Sequence, residues 1–373
     1  MSNDDNKKVV ITDDQYKKLN WYYNELCLGL LLNDSFLLNN LNLLGNLSVA
    51  VLNLLDNFNL EITSIDENFT FMEVYDKAKE VIKEIKPEYL EDYNKLIDSG
   101  ILDFNYERLD IPLEERSKFG QSVFYPYYKA DEDNTRIPEM DNIYIDETFN
   151  YDAVAVLVHE YFHRTNESNS TARYLLTEYI SSYFEIYTYE YLKKQGVDPS
   201  RLNLAFRLYD LKKCADFLDF ESFYMYTYET LGGFNDNNFE YINYSKLSEN
   251  QHKENLLSIL ERFERCEEEY NKQDEREKEP SKFKYYLASK CNSHYRYFIG
   301  ALLAYYSLYN LDKEDVLRLN EEFRKVDSMN FSEALDILGV ELNDELISKS
   351  LDAVEKYAQE NNLLKDKEAN KKM

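Results

Sequence analysis

The run YDAVAVLVHEYFH at 151–163 is the segment that most restricts how this chain can fold. It is apolar on nearly every face of a helix, and a helix of that kind has to be buried. Asn150 stands where it can cap the helix, and Asp152 places a negative charge in the first turn, where the helix dipole favours it. The sequence therefore predicts a buried helix that begins near Tyr151 and ends after His163.

Glycine and proline are scarce throughout the chain, and this scarcity predicts the fold class. Only 9 Gly and 6 Pro occur in 373 residues. Such a composition disfavours turn-rich β-sandwiches and Gly-rich phosphate loops, and it favours long helices. Residues 142–147 (NIYIDE) alternate apolar and polar side chains, which is typical of a short strand. We therefore expect a mainly α fold with a short edge strand or a small β-sheet before the buried helix.

The end of the buried helix carries a metal-binding pattern. His159 and His163 are two of only 4 histidines in the chain. Their spacing of four residues places both imidazoles on one face of a helix, a turn apart, where they can bind one metal ion. Glu160 lies about 100° round from His159, within reach of a metal-bound water. The HExxH spacing predicts a Zn²⁺ site with Glu160 as general base.

A catalytic zinc site usually has three protein ligands, and three downstream carboxylates are candidates for the third. Glu167 lies in the turn after His163, where the helix is expected to end. Glu178 lies two turns into the next predicted helix, among apolar neighbours, and can face back across the first helix. Glu185 is seven residues further on the same face, which suits a role in orienting a histidine. We expect Glu178 to be the ligand, with Glu167 and Glu185 as the alternatives.

These motifs resemble the oligoendopeptidase F and thimet oligopeptidase family of gluzincin metallopeptidases. The resemblance extends over about residues 120–358 and is strongest at HExxH and the following Glu-x-x-Ser-x-x-x-Glu. The matching positions are His159, Glu160, His163, Glu178, Ser181 and Glu185. The segment SHYRYFIG also resembles the family's tyrosine-bearing helix, and the candidates there for stabilising an oxyanion are His294, Tyr295 and Tyr297.

The resemblance implies a zincin-type catalytic core that hydrolyses peptide bonds of oligopeptides. It suggests an N-terminal helical lobe at 1–110, a zinc metallopeptidase domain at 111–360 and a polar tail at 361–373. Family members are longer, with a larger N-terminal lobe that walls a deep substrate channel. A limit on substrate length is therefore the property that this shorter chain is least expected to share.

The charge balance and the cysteines indicate where such an enzyme would act. The chain has 43 Lys+Arg against 71 Asp+Glu, a net charge of -28, which repels nucleic acids and anionic lipid surfaces. The 4 Cys are scattered without a CxxC pair, and the polar N-terminus has no signal-peptide pattern. We expect a cytoplasmic protein that acts on peptides without a nucleic-acid or membrane partner. The sequence leaves the oligomeric state open.

Two other functions are compatible with the same residues. The chain could be a catalytically weak, zinc-containing protein that binds peptides in a regulatory role. Retention of Glu160 argues against this alternative, because a binding scaffold has no need of a general base. The chain could also be an aminopeptidase on a similar core, with acidic side chains that anchor a free amine.

Overall fold

The fold is described here from a computed structural model of the chain. The structure describes residues 9–33, 41–61, 69–98, 102–103, 125–130, 136–144, 150–165, 171–235, 248–272, 282–291, 293–325, 329, 331–341 and 343–365.

The described part of the chain is mainly helical, as the composition predicts. The helices that precede the apolar run are α1 (Asp13–Asn33), α2 (Leu41–Leu55), α3 (Phe71–Ile85) and α4 (Leu90–Asp98). The apolar run forms α5 (Tyr151–Thr165), which α6 (Thr171–Lys194) follows. The remaining helices are α7 (Phe206–Leu231), α8 (Glu249–Lys272), α9 (Phe283–Cys291), α10 (Ser293–Asn310), α11 (Lys313–Lys325), α12 (Phe331–Leu338) and α13 (Asp344–Glu360).

In the described residues between α4 and α5, the backbone forms three strands. They are β1 (Leu102–Asp103), β2 (Tyr125–Ala130) and β3 (Arg136–Tyr144), in the order β1-β3-β2. β1 is parallel to β3, and β2 is antiparallel to it. β3 ends at Tyr144 and residues 145–149 lie outside the described part, so the strand predicted at 142–147 stays a prediction.

The chain divides into two compact units. The first consists of residues 1–50 and 215–295, and the second of residues 51–214 and 296–373. In the first unit, α1 packs against α9, and Trp21 stacks on Phe283 with ring centroids 5.7 Å apart. The predicted division at residue 110 into a lobe and a catalytic domain stays a prediction. No helix in the described ranges combines the length and apolar character needed to cross a membrane.

The second unit has the α5–α6 pair at its centre. Phe162 of α5 stacks on Phe184 of α6 with ring centroids 3.9 Å apart, and both side chains are fully buried. On another side of α5, Tyr161 packs edge-on against Tyr93 of α4 at 5.5 Å. Packing of these aromatic rings therefore fixes the position of one helix along the other.

The start of α5 forms as the sequence predicts, and α6 ends in a glycine turn. The Asn150 side chain accepts hydrogen bonds from the backbone N–H groups of Asp152 (2.9 Å) and Ala153 (3.2 Å), so Asn150 caps α5. After Lys194, the chain turns at Gly196 with φ 87°, a left-handed conformation that favours glycine. The Val197 N–H closes this turn on the Leu192 carbonyl at 3.1 Å.

Asp152 should make the stability of the second unit depend on pH. Its carboxylate accepts hydrogen bonds from the Tyr189 hydroxyl (3.0 Å) and the Asn203 N–H (3.2 Å). Burial outweighs these bonds and raises the pKa of Asp152 to about 6. Between pH 4 and 6, Asp152 keeps its proton in the folded state and loses it in the unfolded chain. Its contribution to the free energy of unfolding is therefore fully present below pH 4 and is lost as pH rises through 6.

Asp152→Asn removes that titration and keeps one oxygen acceptor. Relative to wild type, the free energy of unfolding of the variant should rise between pH 4 and 7, by up to about 3 kcal/mol for a shift of two pKa units. Urea unfolding of both proteins at the two pH values measures the difference. A gap between variant and wild type that stays constant with pH would contradict the role given to Asp152.

Candidate metal centre

The α5 helix presents the two histidines at its buried end. His159 is 3% exposed, and Glu160 beside it is 7% exposed. The two Nε2 atoms of His159 and His163 lie 2.8 Å apart. The imidazole nitrogens thus converge on one point, as the four-residue spacing predicts.

Packing of α6 across α5 brings Glu178 to the same point. The Glu178 Oε2 lies 3.6 Å from His163 Nε2 and 3.9 Å from His159 Nε2. All three donor atoms lie within 4.8 Å of one another, so this buried group could hold a metal ion. Glu167, the alternative in the turn after His163, lies outside the described residues.

A metal ion would satisfy an atom that has no hydrogen-bond partner among the described residues. The Glu178 Oε2 is buried and accepts no hydrogen bond from the described residues. An unsatisfied buried carboxylate oxygen costs free energy, and a cation between the three donors would remove that cost. Two imidazole nitrogens and one carboxylate oxygen are also a donor set found in catalytic zinc sites. The residues present therefore fit a metal ion.

The electrostatics of the group favour a cation in the same place. Burial raises the pKa of Glu178, but the nearby His163 and His159, with Arg296, outweigh burial and lower it to about 2. Burial by itself would lower the pKa of His163. The carboxylates of Glu178 and Glu160 outweigh burial and raise this pKa above its ordinary value. The carboxylates around the histidines thus attract positive charge.

Glu160 lies beside the donor atoms without joining them. Its Oε1 is 4.0 Å from His159 Nε2, on the next position of α5. Because Glu160 directly follows His159, its side chain leaves the helix about 100° round from that of His159. This is the placement that a general base for a metal-bound water requires.

Glu185 lies behind His159, on the side away from the donor group. Its Oε2 is 2.8 Å from the Nδ1 of His159, and the Glu185 side chain is fully buried. A hydrogen bond from Nδ1–H to Glu185 leaves Nε2 as the nitrogen with a free lone pair. Carboxylate–histidine pairs of this kind orient metal-bound imidazoles, which agrees with the supporting role predicted for Glu185.

Arg207, in the first turn of α7, is a further residue of the site that the sequence did not predict. Its Nη2 donates to the Glu185 Oε2 and lies 3.1 Å from His159 Nδ1. Burial raises the pKa of Glu185, but Arg207 and His159 outweigh burial and lower it to about 2. Arg207 is 44 positions beyond His163 in the sequence and belongs to no motif, so no local pattern could have identified it.

Tyr297 of α10 interacts electrostatically with the donor group. The negative charge of Glu178, together with the partial burial of the ring, raises the pKa of Tyr297, so its hydroxyl keeps its proton at neutral pH. The side chain is 41% exposed, which leaves it accessible to a ligand. One turn further on, Gly300 allows close packing, because a Cβ there would lie 3.2 Å from the carbonyl carbon of Glu178.

His294 and Tyr295 are not among the donor residues that converge in the described part of the chain. Burial and the nearby Arg262 lower the pKa of His294 to about 4, so this imidazole is neutral. Tyr295 is 1% exposed, against 41% for Tyr297 two positions on. The difference in exposure follows from helix geometry, since residues two apart point about 200° away from each other.

We compared the chain with protein families, curated proteins and solved structures, and none of the three comparisons finds a match.

Proposed function

We propose that this chain is a zinc-dependent metallopeptidase that hydrolyses peptide bonds of oligopeptides. The observation that carries the proposal is the buried convergence of His159, His163 and Glu178, with Glu160 alongside. The Glu178 Oε2 has no hydrogen-bond partner within the ranges that the structure describes. The proposal includes membership of the oligoendopeptidase F and thimet oligopeptidase family, a zincin-type core with a short edge strand before α5, and a cytoplasmic location.

Zinc is the metal that this donor set favours. Two histidine nitrogens with one carboxylate, and a fourth position left for water, are typical of catalytic zinc in peptidases. Calcium and magnesium prefer sites built from oxygen alone. When bound, zinc supplies a Lewis acid that polarises a carbonyl and acidifies a coordinated water.

Glu160 is the proton carrier in this proposal. Its carboxylate takes a proton from the attacking water and then gives it to the nitrogen of the leaving amine. The water oxygen forms the new bond to the carbonyl carbon, and the C–N bond of the peptide breaks. Because Glu160 is 7% exposed, it can hold the proton between the two steps without losing it to bulk water.

Tyr297 is the proposed donor to the oxyanion that forms during attack. Tyr297→Phe should lower kcat by about 100-fold with little change in KM, because this hydrogen bond forms mainly in the transition state. Steady-state kinetics and zinc content of the variant measure the effect, with Tyr295→Phe as the matched control. If Tyr295→Phe lowers kcat more than Tyr297→Phe does, the oxyanion donor has been assigned to the wrong tyrosine.

A digest of an unbiased peptide library tests the proposed function directly. Zinc-loaded protein should cleave internal peptide bonds, the chelator-treated protein should not, and added zinc should restore cleavage. Retained cleavage in the zinc-free protein would overturn the proposal. Cleavage limited to peptides with a free α-amine would indicate the aminopeptidase, whereas zinc and peptide binding without turnover would indicate the regulatory binding protein.

A further inference from the structure

We propose that Arg207 is a positioning residue of the metal centre. Its guanidinium holds the Glu185 carboxylate in place, and Glu185 in turn orients the His159 imidazole so that Nε2 faces the other two donor atoms. This inference rests on the proposed function, because it assigns Arg207 a role in the binding of zinc.

Two nitrogen atoms meet at one carboxylate oxygen of Glu185. The Glu185 Oε2 accepts from Arg207 Nη2 and lies 2.8 Å from His159 Nδ1. Arginine has no acceptor, so the close approach of Nη2 to Nδ1 (3.1 Å) is compatible with both nitrogens donating to the same oxygen. In that arrangement the proton of the neutral imidazole is on Nδ1, and the lone pair of Nε2 is directed at the donor group.

The position of Arg207 in its helix is unfavourable for a cation. Arg207 lies in the first turn of α7, where the positive end of the helix dipole repels positive charge. Its side chain is 13% exposed, and its Nε makes no hydrogen bond with the described residues. Two carboxylates oppose this cost, namely Glu185 and Asp210, the latter with its Oδ2 3.7 Å from Nη1. These two carboxylates hold the guanidinium at a place that the helix dipole alone would disfavour.

The segment that leads into α7 is tied to the helix that carries His159. The Asn203 N–H donates to Asp152 on α5 at 3.2 Å. Leu202 and Leu204 are buried in a cluster that includes Tyr151 and Ala155, also on α5. These contacts fix the start of α7 against α5, and they therefore place the Arg207 side chain relative to His159.

Zinc affinity of the full chain tests the inference. Zinc-free protein would be titrated with zinc against a chromophoric chelator, for wild type, Arg207→Met, Glu185→Met, the double variant and Arg207→Lys. Removing an outer partner of a zinc-bound histidine typically weakens binding 10- to 100-fold, and we expect that loss in both single Met variants. Arg207→Lys keeps the charge without the planar fork, so it should recover part of the loss.

The double variant separates positioning from general stabilisation. If Arg207 acts through Glu185, adding Arg207→Met to the Glu185→Met variant should not weaken zinc binding any further. An equal loss in the two backgrounds, or unchanged zinc affinity in Arg207→Met, would overturn the inference. The double variant replaces a buried ion pair with apolar side chains, a change that folds tolerate well, and Arg207→Lys substitutes for Arg207→Met if that variant does not fold.

Two controls identify the source of a failure. Arg318→Met removes an arginine that is 55% exposed and should leave zinc affinity unchanged. Thermal unfolding of each zinc-free variant reports on folding independently of the metal. If the wild type itself binds no zinc, the proposed metal centre is wrong and the role of Arg207 is wrong with it, whereas wild-type binding with no effect of Arg207 overturns the positioning role alone.

Discussion

Replacing His163 with alanine is expected to abolish stoichiometric zinc binding. The change removes one of three donors and leaves His159 and Glu178 as an incomplete pair. Loss of a direct ligand should weaken zinc binding by more than the 10- to 100-fold typical of an outer partner, so we expect at least a 100-fold loss. Metal analysis of dialysed protein and competition with a chelator measure the effect, and peptide cleavage should disappear with the metal.

A histidine outside the group provides the matched control. His252 is 3% exposed, and its Nδ1 lies 2.9 Å from the Tyr224 hydroxyl. His252→Ala removes a buried imidazole in the other unit and should leave the zinc content at the wild-type value. Full zinc occupancy in His163→Ala, or equal loss in the two variants, would contradict the assignment of the donors.

Replacing Glu160 with glutamine is expected to separate chemistry from metal binding. The variant keeps the shape of the side chain and loses its ability to accept a proton. General-base catalysis contributes about 10²- to 10⁴-fold, so kcat should fall by that factor at unchanged zinc content. KM should change little, because Glu160 is expected to act on water and not to bind the substrate.

Glu190→Gln is a suitable comparison for this experiment. Glu190 is a partly buried carboxylate of α6 that pairs with Lys193 at 2.6 Å and lies outside the donor group. Its replacement should leave kcat near the wild-type value. Unchanged turnover in Glu160→Gln with zinc still bound would show that another residue accepts the proton, and the mechanism proposed for this chain would then be wrong.

Local signals predicted the helices that form the donor group. Asn150 caps α5 with hydrogen bonds to the two N–H groups expected of a cap residue, and Gly196 ends the turn after α6. The HExxH spacing alone places two imidazoles on one face of a helix, because 3.6 residues make one turn. Such features depend on neighbours within a few residues, which is why they could be predicted.

The third ligand could be selected but not established from the sequence. Glu178 and Glu185 lie on the same face of α6, and local periodicity does not say which of them meets the histidines. The stacking of Phe162 on Phe184 sets the relative position of the two helices, and it places Glu178 at the Nε2 side and Glu185 at the Nδ1 side of His159. Tertiary packing therefore gives the two carboxylates different roles.

The sequence by itself determined the mainly helical fold, the buried helix at 151–163 and the convergence of two histidines with Glu160 beside them. Tertiary structure alone decided which carboxylate of α6 meets the Nε2 atoms of the histidines, and that Arg207 lies against Glu185. The physical reason is range: helix periodicity and capping act over a few residues, whereas Arg207 meets Glu185 only because the start of α7 is bonded to Asp152 and packed against α5. A contact between distant segments leaves no local sequence pattern from which it could be predicted.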